Sequence, residues 1–334
     1  MKLPAFVALA GLTAVLLVVA SGTAEGRSRL RIGLVFQTTA VTGAYQQGAF
    51  AGLQRAVKEL GVEAKTVVPG PRENSYVPSF SYLARQKYDL IIALGFLEVA
   101  DLDAVALRFP DRTFALIDSS QKALKHHPRN VRGAVFKTEQ AAYLAGYLAA
   151  LMEKRRPGKD VISAVGGFPI PTVDDFIAGF KAGARKADPG ITVLIAYSHD
   201  FLDTAKCKTV ALDQIARGSG VVFDVAGGCG LGALAAAKEK RVWGIGVDAD
   251  QSSLGPHILT SVVKRLDVAV LSTVKAFQEG RFPTPGDAVF DLHNEGVGLG
   301  KVSPKVPRPY LRELERIRAQ IVAGTISVPS TLHR

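Results

Sequence analysis

The chain has 334 residues, of which 48% are hydrophobic and 21% are charged, and its formal net charge is +11. This composition excludes a disordered chain, and two cysteines are too few for a disulfide scaffold or a Cys-rich zinc module. A single apolar run approaches the ~18–20 residues that span a bilayer, which excludes a polytopic membrane protein, and at roughly 100–200 residues per domain the length predicts two domains.

Residues 1–24 have the pattern of a secretory signal peptide. Lys2 precedes an uncharged run that reaches Ala20, and small residues continue to Ala24. An uncleaved anchor helix is the alternative interpretation. A lipoprotein signal needs a cysteine at the cleavage point, and none stands there. We therefore expect a periplasmic protein that is secreted across the inner membrane and is not lipid-anchored.

Apolar runs alternate with helical patterns through the rest of the chain. Strands are predicted at 31–36, 64–68, 89–94, 113–117, 130–136, 161–165, 192–196, 221–225, 242–247 and 258–263. Helices are predicted at 46–60, 76–86, 97–108, 138–154, 173–187, 203–217, 231–240 and 266–279. Continuous apolar strands separated by helices favour parallel sheets covered on both faces. Two successive arrays predict an α/β protein with two doubly wound lobes.

The segments that follow the predicted strands hold the candidate binding residues, because ligands of open α/β sheets bind beyond the carboxyl ends of the strands. These segments offer aromatic faces for stacking, carboxylates, an amide and a cation. Glycines 227, 228 and 230 would let backbone amides approach a ligand, and their spacing is not that of a dinucleotide-binding loop. The candidates are Tyr45, Gln46, Phe96, Asp118, Phe168, Phe201, Gly228, Asp248 and Lys264.

The two cysteines, Cys207 and Cys229, each follow one of two successive predicted strands. A disulfide between them is possible in an oxidising compartment. The alternative is a thiol nucleophile activated by His199, for which the sequence supplies no fixed geometry. The remaining motifs indicate no metal site, no cofactor and no catalytic residue. Lys and Arg are scattered along helices without interleaved aromatics, so we expect no binding to nucleic acid.

Several segments together resemble the basic membrane protein (BMP) family of purine-nucleoside-binding lipoproteins that serve ABC transporters. They include YDLIIALGF at 88–96, FPDRTFALID at 109–118, VAGGCGLG at 225–232, WGIGVDADQ at 243–251 and LTSVVKRLDVAV at 259–270. The resemblance implies a type I periplasmic-binding fold with crossovers near Lys137, Lys264 and Leu292. Lobe 1 would comprise 29–137 plus 265–292, and lobe 2 would comprise 138–264 plus 293–330.

The resemblance also implies roles for the candidates. Tyr45 and Phe201 would stack on opposite faces of a ring, and Gln46 would read the edge of the base or sugar. Asp118 would hydrogen-bond the ligand, and Asp248 would accept hydrogen bonds from ribose hydroxyls, with Lys264 as the nearby cation. The first loop, 37–47, lacks the acidic residues usual in the family. This departure leaves the identity of the ring open.

The function that the resemblance implies is capture of a purine nucleoside or related ring ligand and its delivery to an ABC permease in the inner membrane. We expect a monomeric protein that makes and breaks no covalent bonds in its ligand. A sensory module without transport is one alternative. A nucleoside-processing hydrolase is another, but it would need clustered acids near the N-terminus, and the first strand runs into Gln37-Thr38-Thr39.

Overall fold

The computed structural model describes residues 29–37, 43–70, 75–158 and 160–332. The predicted signal peptide, 1–24, lies outside these residues. Within them, no helix combines the length and the apolar character that crossing a bilayer requires.

The first sheet has six parallel strands. They are β1 (Arg31–Val35), β2 (Glu63–Val67), β3 (Leu90–Leu94), β4 (Thr113–Ile117), β5 (Val131–Phe136) and β11 (Gly286–Phe290). Their order in the sheet is β11-β5-β4-β3-β1-β2. Helices α1 (Ala44–Leu60), α2 (Val77–Arg85), α3 (Val99–Arg108) and α8 (Leu266–Gln278) belong to this half of the molecule. β3 is buried along its whole length, as expected for a strand covered on both faces.

The strands of the second sheet are β6 (Val161–Gly166), β7 (Thr192–Tyr197), β8 (Val221–Val225), β9 (Trp243–Asp248), β10 (Ile258–Lys264) and β12 (Val297–Leu299). Their order is β12-β10-β9-β8-β6-β7, in which β12 is antiparallel and the other strands are parallel. Its helices are α4 (Thr138–Glu153), α5 (Pro171–Ala187), α6 (Thr204–Ala216), α7 (Gly230–Lys240) and α9 (Arg308–Val322).

The predicted fold class is confirmed, because two parallel-sheet α/β lobes are joined where the chain passes between them three times. The passages lie between β5 and β6, between β10 and β11, and between β11 and β12. Lys137, Lys264 and Leu292 fall in these passages or at their start. The exact bounds of the lobes stay a prediction. The strands β11 and β12 and the helix α9 were not among the predicted elements.

Helices α4 and α5 pack with their backbones in direct contact. A Cβ on Gly146 of α4 would collide with the carbonyl oxygen of Phe180, and one on Gly183 of α5 would collide with that of Tyr143. Glycine at these positions therefore permits an approach that a side chain would block. Because α5 begins at Pro171, this contact fixes the start of α5 beside the cleft between the lobes.

Candidate ligand-binding site

A cavity lies between the two lobes, at the carboxyl ends of strands from both sheets. Tyr45, Gln46, Phe96 and Asp118 line it from one lobe. From the other side it is lined by Phe201, Gly228, Asp248 and Lys264. The lobes approach closely at one edge, since a Cβ on Gly43 would lie 3.5 Å from the backbone nitrogen of Gly228. The structure thus brings eight of the nine candidates together.

Asp118 and Asp248 occupy matching places, at the carboxyl ends of β4 and β9. Both have left-handed backbones, with φ values of 66° and 65°. Aspartate is among the few residues that tolerate this region, and such conformations are concentrated at functional sites. Their side chains are 7% and 8% exposed. Each lobe therefore presents one buried carboxylate to the same cavity.

Lys264, at the end of β10, lines the cavity and lies beside both carboxylates. Its Nζ lies 2.8 Å from Asp118 Oδ2 and 3.9 Å from Asp248 Oδ1, and its side chain is 3% exposed. The ammonium also lies 5.3 Å from the ring centroid of Tyr45 and 5.0 Å from that of Phe176. Contacts with ring faces stabilise a desolvated cation.

The electrostatic balance at the centre of the cavity favours ligand groups that donate hydrogen bonds. Burial raises the pKa of Asp248 to about 6, and the charge of Asp118 adds to this, whereas Lys264 opposes it. Burial and the same two carboxylates raise the pKa of Tyr45 well above its ordinary value, so its phenol keeps its proton. Two carboxylates facing one lysine leave acceptor capacity that hydroxyl groups of a ligand can satisfy.

The aromatic lining differs in part from the expectation. Phe168 does not line the cavity, and its ring packs against Phe201 with centroids 5.1 Å apart. Sequence reasoning missed Tyr76 and Phe176, which do line it. Both stand inside or next to helices rather than directly after strands, so the rule that located the other candidates passed over them.

Cys207 of α6 and Cys229, directly before α7, are joined in a disulfide with Cα atoms 5.6 Å apart. Neither sulfur is then a free thiol, which disfavours the alternative of a nucleophile activated by His199. The bond ties α6 to the glycine segment at 227–230, two residues of which line the cavity. It therefore fixes part of the cavity wall.

Asp224, in β8 beneath this segment, makes the stability of the protein pH-dependent. Burial raises the pKa of Asp224 to about 8, well above the ~3.9 of an unfolded chain. The folded state then binds more protons than the unfolded state between these values, so stability falls as pH rises from about 4 to 8, by at most about 1.4 kcal/mol per pH unit from this one group. We expect Asp224→Asn to flatten that slope.

Urea unfolding at pH 5, 6.5 and 8 measures the effect. Asp213→Asn is the matched control, because the Asp213 side chain is 66% exposed. A residual slope is expected in Asp224→Asn, since burial also raises the pKa values of Asp175 and Glu153 to about 7. Equal slopes for Asp224→Asn and the wild type would contradict the assignment.

Comparison with known proteins places this geometry in a family. The model of the Bmp family, described as ABC transporter substrate-binding protein PnrA-like, matches residues 30–331. The ABC transporter nucleoside-binding protein BmpA of Lactococcus lactis is 30% identical, over 93% of this chain and 92% of its own length. Basic membrane protein B of Borrelia garinii is 29% identical, over 91% of this chain and 89% of its own length.

Solved structures agree on the fold. An ABC transporter solute-binding protein from Aeropyrum pernix K1 superposes with a TM-score of 0.80 at 24% identity, covering 91% of this chain and 94% of that one. The family model and the Lactococcus lactis relative are those of substrate-binding proteins, not of enzymes. A relative in Pyrococcus furiosus, 34% identical over 75% of this chain and 64% of its own length, is named a lipoprotein. The comparisons thus give no support to the expectation of a protein without a lipid anchor. The chain belongs to the Bmp family of PnrA-like ABC transporter substrate-binding proteins.

Proposed function

We propose that this extracytoplasmic substrate-binding protein captures a purine nucleoside between its lobes and delivers it to an ABC permease. The observation that carries the proposal is the pair Asp118 and Asp248, buried on either side of Lys264 in a cavity that also holds aromatic rings. Rings suit a planar base, and buried carboxylates suit vicinal hydroxyls. The name of the Lactococcus lactis relative is in keeping with this assignment.

The proposed contacts follow the lining of the cavity. Tyr45 and Phe201 would flank the base, and Gln46, which is 7% exposed on α1, would meet its edge or that of the sugar. Asp248 would accept hydrogen bonds from the ribose diol. Gly228 would let backbone approach the ligand. Phe168 would act indirectly, by supporting the ring of Phe201.

Three further features belong to the proposal. Residues 1–24 would direct export, and the protein would work as a monomer. The lobes would divide as 29–137 plus 265–292 and 138–264 plus 293–330, so that closure about the three passages traps the ligand.

Thermal unfolding with adenosine, guanosine, inosine and D-ribose tests the proposal. A nucleoside at 100 times its dissociation constant should add about 2.7 kcal/mol to the free energy of unfolding. D-ribose should add much less, since it lacks the base. Phe201→Ala should weaken nucleoside binding by roughly 5–150-fold, because one base–aromatic stack contributes about 1–3 kcal/mol.

Phe168→Ala is the companion variant, and its loss of affinity should be smaller than that of Phe201→Ala. Calorimetric titration supplies both dissociation constants. The assignment of a nucleoside is wrong if none of the three compounds raises the unfolding temperature of the wild-type protein. The assignment of Phe201 is wrong if its removal leaves affinity unchanged.

A further inference from the structure

A second chamber opens beside Asp118 and shares three lining residues, Phe96, Asp118 and Thr172, with the main cavity. Its volume of about 220 Å³ is far more than one water molecule needs. Residues that follow β4 line it from one lobe, and the start of α5 lines it from the other. Closure of the lobes therefore completes this chamber as well as the main cavity.

Polar side chains that lack partners face this chamber. Ser119 and Thr138 are 7% and 2% exposed, and neither hydroxyl finds a hydrogen-bond partner among the residues that the structure describes. The carboxyl group of Asp175, half-buried in α5, is also without such a bond to any described residue. Because these groups are accessible from the chamber and are not paired within the part of the chain that the structure describes, they can hydrogen-bond a polar occupant.

The charges around the chamber select the kind of polar group. Asp175 stands near Asp118, Glu139 and Asp174, and the cation that faces it, Lys264, is already paired with Asp118. Burial, reinforced by Glu139 and Asp118, raises the pKa of Asp175 to about 7. Such surroundings repel an anion and accommodate a hydroxyl group, which both donates and accepts hydrogen bonds.

We propose that this chamber, lined by Ser119, Thr138 and Asp175, is a subsite for the 5′-hydroxymethyl group of the nucleoside and excludes a 5′-phosphate. The inference rests on the proposed function: once the ribose diol is bound by Asp248, the 5′-hydroxyl is the sugar hydroxyl that remains. The chamber adjoins the Asp118 end of the same cavity, where that group can enter it.

Calorimetric titration of the full chain with adenosine, guanosine and their 5′-deoxy and 5′-monophosphate forms tests the subsite. The 5′-deoxy forms should bind about 2–12-fold more weakly than the parent nucleosides, as the loss of a neutral hydrogen bond of about 0.5–1.5 kcal/mol requires. The monophosphates should bind more weakly still. Thr138→Val should lower the ratio of the dissociation constant of the 5′-deoxy form to that of the parent nucleoside. Asp175→Asn should lower the corresponding ratio for the monophosphate and the parent nucleoside.

Asp213→Asn removes an exposed carboxylate far along α6 and should leave both ratios as in the wild type. The subsite is wrong, while the proposed function stands, if the parent nucleosides bind but both ratios of dissociation constants are near one in the wild type. The same conclusion follows if Thr138→Val and Asp175→Asn leave these ratios unchanged. If neither adenosine nor guanosine binds, the proposed function is wrong and the subsite falls with it. Because the ratios compare ligands on one variant, a general loss of stability does not mimic the expected result.

Discussion

Lys264→Met should destabilise the protein by about 3–5 kcal/mol, the usual cost of leaving a buried charge without its partner. The lysine is 3% exposed, and its removal leaves the carboxylates of Asp118 and Asp248 facing each other across the cavity. Methionine keeps the length of the side chain, so the change reports mainly on charge. Urea unfolding at pH 8, above the pKa of about 6 of Asp248, measures it.

Lys206→Met is the matched control, because Lys206 makes an ion pair of the same length, 2.8 Å, with Asp200 on the surface. Its side chain is 51% exposed, and exposed pairs contribute little to stability. Adding Asp118→Asn to Lys264→Met should recover part of the loss, since one of the stranded carboxylates is then neutral. The account of the buried cluster fails if Lys264→Met costs no more than Lys206→Met.

Asp248→Asn should weaken the binding of adenosine by at least about 10-fold, because a hydrogen bond to a charged group contributes about 1.5–3 kcal/mol. The amide has nearly the same shape as the carboxylate, but an NH2 group that donates hydrogen bonds replaces one of the two accepting oxygens, and the charge is lost. The same variant should bind 2′,3′-dideoxyadenosine almost as the wild type does. Calorimetric titration of both ligands on both proteins completes a double-mutant cycle.

Asp250→Asn serves as the control for this cycle, since Asp250 lies two residues further on and caps the backbone of Ser252 instead of lining the cavity. It should leave the affinity for adenosine unchanged. A loss of affinity in Asp248→Asn that is equal for adenosine and the dideoxy compound would assign Asp248 to the structure of the cleft instead of to the ribose diol.

The central part of the site was predictable because it obeys a rule of topology. Parallel strands end at one edge of a sheet, so Asp118, Asp248 and Lys264, which close three apolar strands, had to lie near the cleft. That these residues share one cavity also depends on how the two lobes face each other. The resemblance to a family predicted this arrangement, whereas the strand pattern alone did not. Family membership and fold class followed from the same segments.

The parts that sequence reasoning missed have local physical causes. Phe176 and Thr138 lie on helices, whose contribution to a cavity depends on packing angles that a linear pattern does not encode. Phe168 and Phe201 are indistinguishable as aromatic residues after strands, and only their packing separates a lining ring from a supporting one. Strand β12 has three residues and is too short for a periodic signal.

Helix α9 is a different case, because its signal was present in the sequence. Leu314, Ile317 and Ile321 recur every three or four residues and are the positions that α9 buries. Pro309 at the start of the helix is a further helix signal. A search of residues beyond 279 with the same periodicity would have found it.

The bond between Cys207 and Cys229 affects how the protein should be produced for these experiments. A bacterial cytosol keeps thiols reduced, and protein made there would lack the covalent tie between α6 and the segment that carries Gly227 and Gly228. Affinities measured on such material would describe a looser cleft wall than that of the oxidised protein. Recombinant material should therefore be directed to an oxidising compartment or reoxidised in vitro, and its thiol content should be titrated before any ligand is added.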